Sequence, residues 1–132
     1  MNDFTDTGGR FAVLHQKGAA QLEEDVRDGH LDYKHIAVFV AIARRLDFRT
    51  GMAAVTAEDI ASGLGMNPAM CRGCISKLQK RMLLARGYAS DRGIRYMPNP
   101  YVASCGALNR RPFLWKQFCH IVETGSASLP GA

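Results

Sequence analysis

Apolar residues along this chain fall into short blocks, and the polar residues between them act as punctuation. Phe11, Ala12, Val13 and Leu14 form a brief apolar run, read as a strand or an extended arm. Residues 19–27 fit a short acidic helix that stops at Gly29. Asp32 is placed to cap a stronger helix over residues 33–46. There Ile36, Phe39, Val40, Ala43 and Leu46 recur at helical spacing and predict one buried stripe. The polar stretch 47–51 breaks it.

Thr56, followed by Ala57, Glu58 and Asp59, is a helix N-terminal signature. The hydroxyl can accept from an early amide, and the two acids favour the positive helix end. Aspartate in place of glutamate at residue 59 makes this a looser capping box. Ile60, Ala61 and Leu64 supply the apolar face, and Gly65 ends the helix because glycine takes a left-handed backbone at little cost. Asn67 and Pro68 start another helix: asparagine caps it, and proline at the first position gives up an amide that has no helical partner. Cys71, Ile75, Leu78 and Met82 then line up on one side. Residues 83–88 and 94–97, separated by Ala89, Ser90, Asp91, Arg92 and Gly93, read as a hairpin, which Pro98 and Pro100 end. A last amphipathic helix over residues 112–122 is predicted to bury Phe113, Leu114, Phe118 and Ile121, with Trp115 in part.

Helix, glycine-containing turn, polar-capped helix and basic hairpin follow one another in the order of a winged helix-turn-helix. The expected fold is mainly α with a small β-hairpin, flanked by N- and C-terminal helices. Residues 11–123 would form a single domain, with the helix-turn-helix at about 56–82, the wing at about 83–97 and the C-terminal helix at about 112–122. Residues 1–10 read as a disordered N-terminus and 124–132 as a flexible tail. A chain of 132 residues can bury a working core of this kind without disulfides or metals.

Charge adds a direction. The formal net charge is +5, but its distribution is uneven. Residues 67–100 carry Arg72, Lys77, Lys80, Arg81, Arg86, Arg92 and Arg95 against Asp91 alone, whereas acids outnumber bases over residues 1–33. A basic recognition helix followed by a basic wing suits the phosphate backbone of a duplex. With the apolar side of the second helix facing the core, Asn67, Ala69, Arg72, Gly73, Ser76, Lys77 and Lys80 face outward. Arg72 is suited to a bidentate contact with guanine, and Asn67 or Ser76 to a base or phosphate. Lys77 and Lys80, with Arg86, Arg92 and Arg95 on the wing, are assigned to phosphates, while Ala69 and Gly73 leave room for close approach.

The residues Ile60-Ala61-Ser62-Gly63-Leu64-Gly65-Met66-Asn67, with Cys71, Ile75 and Leu78, resemble the helix-turn-helix of winged-helix regulators, MarR types included. The segment Arg95-Tyr96-Met97-Pro98-Asn99-Pro100-Tyr101-Val102 through Gly106, with Arg110 and Arg111 beyond it, is similar to the stretch after the wing in RepL-type plasmid replication proteins. That likeness runs from about Phe11 to Phe118. It departs at Pro98, where an aliphatic residue is expected, and at the recognition-helix cysteines. It implies a plasmid or mobile-element protein concerned with replication or copy control. A purely structural role for the prolines, forcing an extended exit from the wing, explains the same residues.

The expectation is therefore a sequence-specific binder of double-stranded DNA, a transcriptional regulator of plasmid or mobile-element type. Replication initiation or copy control is the alternative, and a protein-interaction winged helix or a thiol- or metal-responsive sensor stand further off. Flanking helices suggest a homodimer. No nucleophile-like turn, phosphate loop or paired catalytic carboxylate is present, so no enzyme and no cofactor is expected. Cys71 and Cys74 form a C-x-x-C inside a helix. Without a second close pair it reads as packing rather than as a zinc or redox site. The polar N-terminus and the lack of a long apolar run point to the cytoplasm and away from membranes.

Overall fold

The computed structural model describes residues 12–105 and 110–127. In chain order the elements are β1 (Ala12–Leu14), α1 (Gln16–Arg27), α2 (Tyr33–Ala43), α3 (Ala57–Leu64), α4 (Pro68–Lys80), β2 (Leu84–Tyr88), β3 (Ile94–Pro98), β4 (Ala103–Cys105) and α5 (Arg111–Thr124). The architecture is a winged helix-turn-helix with flanking helices. Phe11, the expected disordered residues 1–10, Gly106 and residues 128–132 lie outside the described residues.

α1 begins at Gln16, earlier than the acidic block suggests, and Gly18 makes this possible. A side chain there would run into the backbone of Tyr101 and Val102, so glycine lets the helix lie close against that segment. α2 is capped as expected. Asp32 accepts from the amides of Lys34 and His35, and His35 Nδ1 accepts in return from the Asp32 amide. The helix stops at Ala43, however, and the chain tightens through Arg45 N–H to Ile42 and Leu46 N–H to Ala43 bonds. Its buried residues are Val38, Phe39, Ala41 and Ile42, while Val40 is 54% exposed. The buried stripe is rotated from the predicted one because α2 is apolar on most of its surface and packs against both α3 and α4.

Thr56 and Asn67 cap α3 and α4 by accepting from Asp59 N and Ala69 N, and Gly65 takes the left-handed conformation between them, φ +66°. Leu64, expected on the apolar face, is exposed. α4 buries Cys71, Cys74, Ile75 and Leu78. Met82 does not continue that edge. It ends the helix at φ +59°, with its amide bonded to Gln79 O and the Leu83 amide to Leu78 O, the position where glycine is usual. Its side chain is turned to solvent.

The wing pairs antiparallel from Leu84↔Pro98 to Tyr88↔Ile94; β2 starts one residue later than expected and β3 runs one residue further, to Pro98. Two isolated bridges widen it: Ala53 pairs with Tyr96 on one edge, and Ser126 with Tyr88 on the other. The chain just after α5 is not the flexible tail that its composition suggests, since Gly125 and Ala127 bond to the Tyr88 backbone and Ala127 is buried. Gly87 permits this approach. A Cβ there would lie 2.9 Å from Ile121 Cγ2 and 3.1 Å from Gly125 O. α5 covers the back of the wing with Leu114, Phe118 and Ile121 against Ala85 and Met97. Phe113, expected in the core, is 52% exposed because it lies off this stripe, and Gln117 is buried instead. β4 has no counterpart in the sequence pattern; it pairs with β1 from Ala12↔Cys105 to Leu14↔Ala103.

Polar contacts tie the flanking elements to the centre and to each other. Arg81, the C-cap of α4, reaches back to Asp25 of α1 at 2.7 Å, where the carboxylate also accepts from Gln21. His15 Nδ1 accepts from Arg111 at 2.9 Å, because arginine can only donate; Nε2–H therefore donates to Ser104 Oγ.

Arg81→Met should lower unfolding free energy by roughly 1.5–3 kcal/mol, read from urea unfolding, because it leaves a buried carboxylate without its charged donor. Burial first, and the Arg111 charge second, lower the His15 pKa from 6.5. The unfolded state then binds more protons, so the His15 contribution is full above 6.5 and is lost as pH falls through the lower folded value. The stability of His15→Gln should depend less on pH across that window than that of the parent.

Candidate nucleic-acid interface

α3, the turn at Gly65 and α4 form a rigid corner, since both helix starts are capped and the inner edge of α4 is buried against α2 and α3. Once Cys71, Cys74, Ile75 and Leu78 face inward, helical periodicity sends the alternate positions out. Asn67, Ala69, Arg72, Gly73, Ser76 and Lys80 are exposed, and Lys77 is half-buried. Among the described residues, nothing crowds the position a Gly73 side chain would take. The Asn67 carboxamide oxygen is occupied by the Ala69 amide, which makes this residue a cap before anything else.

The wing divides its arginines between two faces. Strand alternation puts Arg86 with its cross-strand partner Tyr96 on the side of α4, while Arg95 lies opposite Gly87 on the side of α5. Arg95 then curls along the turn to Asp91, 2.8 Å away, and also donates to Ile94 O. Hydrogen bonds from Gly93 N–H and Arg95 hold the Asp91 carboxyl below its usual range. Arg86 donates to Tyr88 Oη at 2.8 Å and lies over that ring. Arg92 stands at the tip with φ +66°, its side chain in solvent.

Between α3, α4 and the wing lies an open cleft of about 290 Å³. Arg72, Ser76 and Arg86 line it together with Glu58, Gln79 and Tyr96. The fold thus gathers three of the expected contact residues. It leaves Asn67 and Ala69 at the start of α4, Arg92 at the wing tip and Arg95 behind. Sequence reasoning did not place Glu58, Gln79 or Tyr96 on this face, and Glu58 is the charged one of the three. Its carboxylate sits 2.6 Å from Arg72, across the corner between the two helices. In sequence it looks only like a favourable charge in the first turn of α3, and fourteen positions separate the partners. Arg81, counted in the basic segment, is turned inward to Asp25.

The C-x-x-C thiols are both buried on the core side, and burial pushes the pKa values of Cys71, Cys74 and Cys105 up. Among the described residues, no group of three or more His, Cys, Asp or Glu side chains converges as a metal site would require. No helix among them is long and apolar enough to cross a membrane.

The fold and this face define a winged helix-turn-helix protein. No protein-family model and no curated protein matches the chain. Among solved structures, it is similar to BpsR of Bordetella bronchiseptica, whose DNA binding is regulated by 6-hydroxynicotinic acid. The identity there is 18%, the TM-score 0.42, and the match covers 82% of this chain and 70% of that one. It is also similar to a MarR-family transcriptional regulator from Rhodococcus sp. RHA1, at 14% identity and TM-score 0.44 over 83% and 67% of the two chains. A third similar structure is a point mutant of S. aureus MepR bound to an oligodeoxyribonucleotide, at 13% identity and TM-score 0.44 over 81% and 69%. The winged-helix assignment stands on the element order and pairing of this chain itself.

Thiol titration of the native protein near neutral pH should modify Cys119 first, with Cys71, Cys74 and Cys105 reacting only as the protein unfolds in urea. Fast labelling of Cys71 or Cys74 in the native state would instead favour a thiol-responsive sensor.

Proposed function

We propose that this chain binds double-stranded DNA with sequence specificity and acts as a transcriptional regulator. α4 would enter the major groove and the wing would lie along the neighbouring backbone. The observation that carries this reading is the outward face of α4: Arg72, Gly73, Ser76 and Lys80 exposed on a firmly seated helix, beside a wing bearing Arg86 and Arg92. Arg72 reads a base edge, Lys77, Lys80, Arg86 and Arg92 meet phosphates, and Ala69 and Gly73 allow close approach. Arg95 belongs to this set only if it leaves Asp91.

Replication initiation draws on the Asn-Pro stretch after the wing. In the fold those residues have structural work. Asn99 donates to Met82 O and accepts from the Tyr101 amide, and Pro98 and Pro100 are buried. Transcriptional control is therefore preferred, whether the genetic element is a plasmid or not. Two copies on an inverted repeat, with half-sites about 10 base pairs apart, complete the reading. α5 turns its apolar face to the wing of its own subunit, so a twin would have to use other surface, such as the exposed Tyr33 and Val40 of α2.

Selection of bound duplexes from a random pool, followed by titration at several salt concentrations, tests this. Arg72→Ala should reduce discrimination between the selected and a scrambled duplex by about 1–3 kcal/mol, whereas Lys77→Ala should weaken both alike and flatten the salt slope by about one. Protein that ignores duplexes at low ionic strength would end the proposal.

A further inference from the structure

Resting on that reading of α4, we infer that Glu58 is a specificity-determining residue: it buttresses Arg72 for base readout and repels phosphate from the same spot. Three features of the corner lead there. The pair spans the two helices of the helix-turn-helix, with Arg72 Nη1 and Glu58 Oε2 2.6 Å apart. Both side chains are more than half exposed, 56% and 62%, and an ion pair so exposed contributes little to holding a fold together. The carboxylate also lies in the cleft with Ser76, Arg86 and Arg72, on the face offered to the duplex.

A carboxylate beside a polyanion needs a reason. Only Nη1 of Arg72 touches Glu58, and the donors on the remaining edge of the guanidinium have no partner among the described residues. A guanine presents O6 and N7, two neutral acceptors that can take that edge while the carboxylate keeps its own bond. A phosphate cannot share the arginine in this way. It would bring its charge against the carboxylate, or leave Glu58 uncompensated next to the backbone. The pair therefore favours a base edge over a phosphate, and it does so by lowering affinity for DNA of the wrong sequence. Arg86 faces the same cleft but bonds to Tyr88 Oη, outside this pair, so the effect is confined to Arg72.

The test compares the parent, Glu58→Gln and Glu58→Ala on two probes: a duplex selected from a random pool by the parent, and a scrambled duplex of the same composition. Glu58→Gln keeps a hydrogen-bond acceptor and removes the charge. It should bind the scrambled duplex roughly two- to fivefold more tightly. The salt slope on that probe should steepen by about one, with a smaller change on the selected duplex. Glu58→Ala should in addition lose affinity for the selected duplex, because Arg72 is no longer held. Unfolding midpoints of both variants should stay close to that of the parent. Parallel changes on both probes, or none, would overturn the inference while leaving the DNA-binding reading intact. So would a Glu58→Gln variant that lost only the selected duplex, since Glu58 would then be reading a base itself. A parent that binds neither probe defeats the underlying reading, and the inference falls with it.

Discussion

Seating the inner edge of α4 is the constraint on which the rest of the molecule depends. Cys71, Cys74, Ile75 and Leu78 repeat at intervals of three and four, and all are withdrawn from solvent against α2 and α3. A helix held along one edge has no freedom to choose what it presents on the other. The exposure of Arg72, Gly73 and Ser76 follows from the packing of their neighbours, and so does the burial of the two thiols. Cysteine suits these positions as a small apolar residue.

The same constraint explains the arrangement of the flanks. A helix aimed by its core edge can still pivot about its ends, and both ends of α4 are fixed. Capping by Asn67 and the turn at Gly65 hold the start; the Arg81–Asp25 contact and the Met82 turn hold the finish. Asn99 grips the Met82 carbonyl, so the exit from the wing is tied to the exit from α4. The wing, for its part, is bounded on one edge by Ala53 and on the other by residues following α5. It is a short ribbon that would be marginal by itself. Here Leu114, Phe118 and Ile121 support it from behind.

Electrostatics refine this picture without creating it. The basic segment of the sequence divides in three dimensions into side chains with different work. Arg81 holds the molecule together, Arg95 turns back along its own hairpin, and Arg72 is shared with Glu58. Lys80 and Arg92 stand in solvent, outside any ion pair among the described residues. A count of positive charge overstates what is free to meet a phosphate.

Helix starts at Asp32, Thr56 and Asn67, the hairpin around Ser90 to Gly93 and the outward face of α4 were legible in the sequence, because each depends on residues within a few positions of one another. The rest depended on partners distant in the chain. Which side of the apolar helix α2 faces water was decided by the two helices that flank it. Whether residues 125–127 trail off or bond to the wing was decided by the edge of β2. The pairing of β1 with β4 and the Glu58–Arg72 contact exist only once the chain has closed on itself. Periodicity and capping are properties of a segment and can be read from it. The neighbour a side chain meets is a property of the whole packing, and no local pattern encodes it.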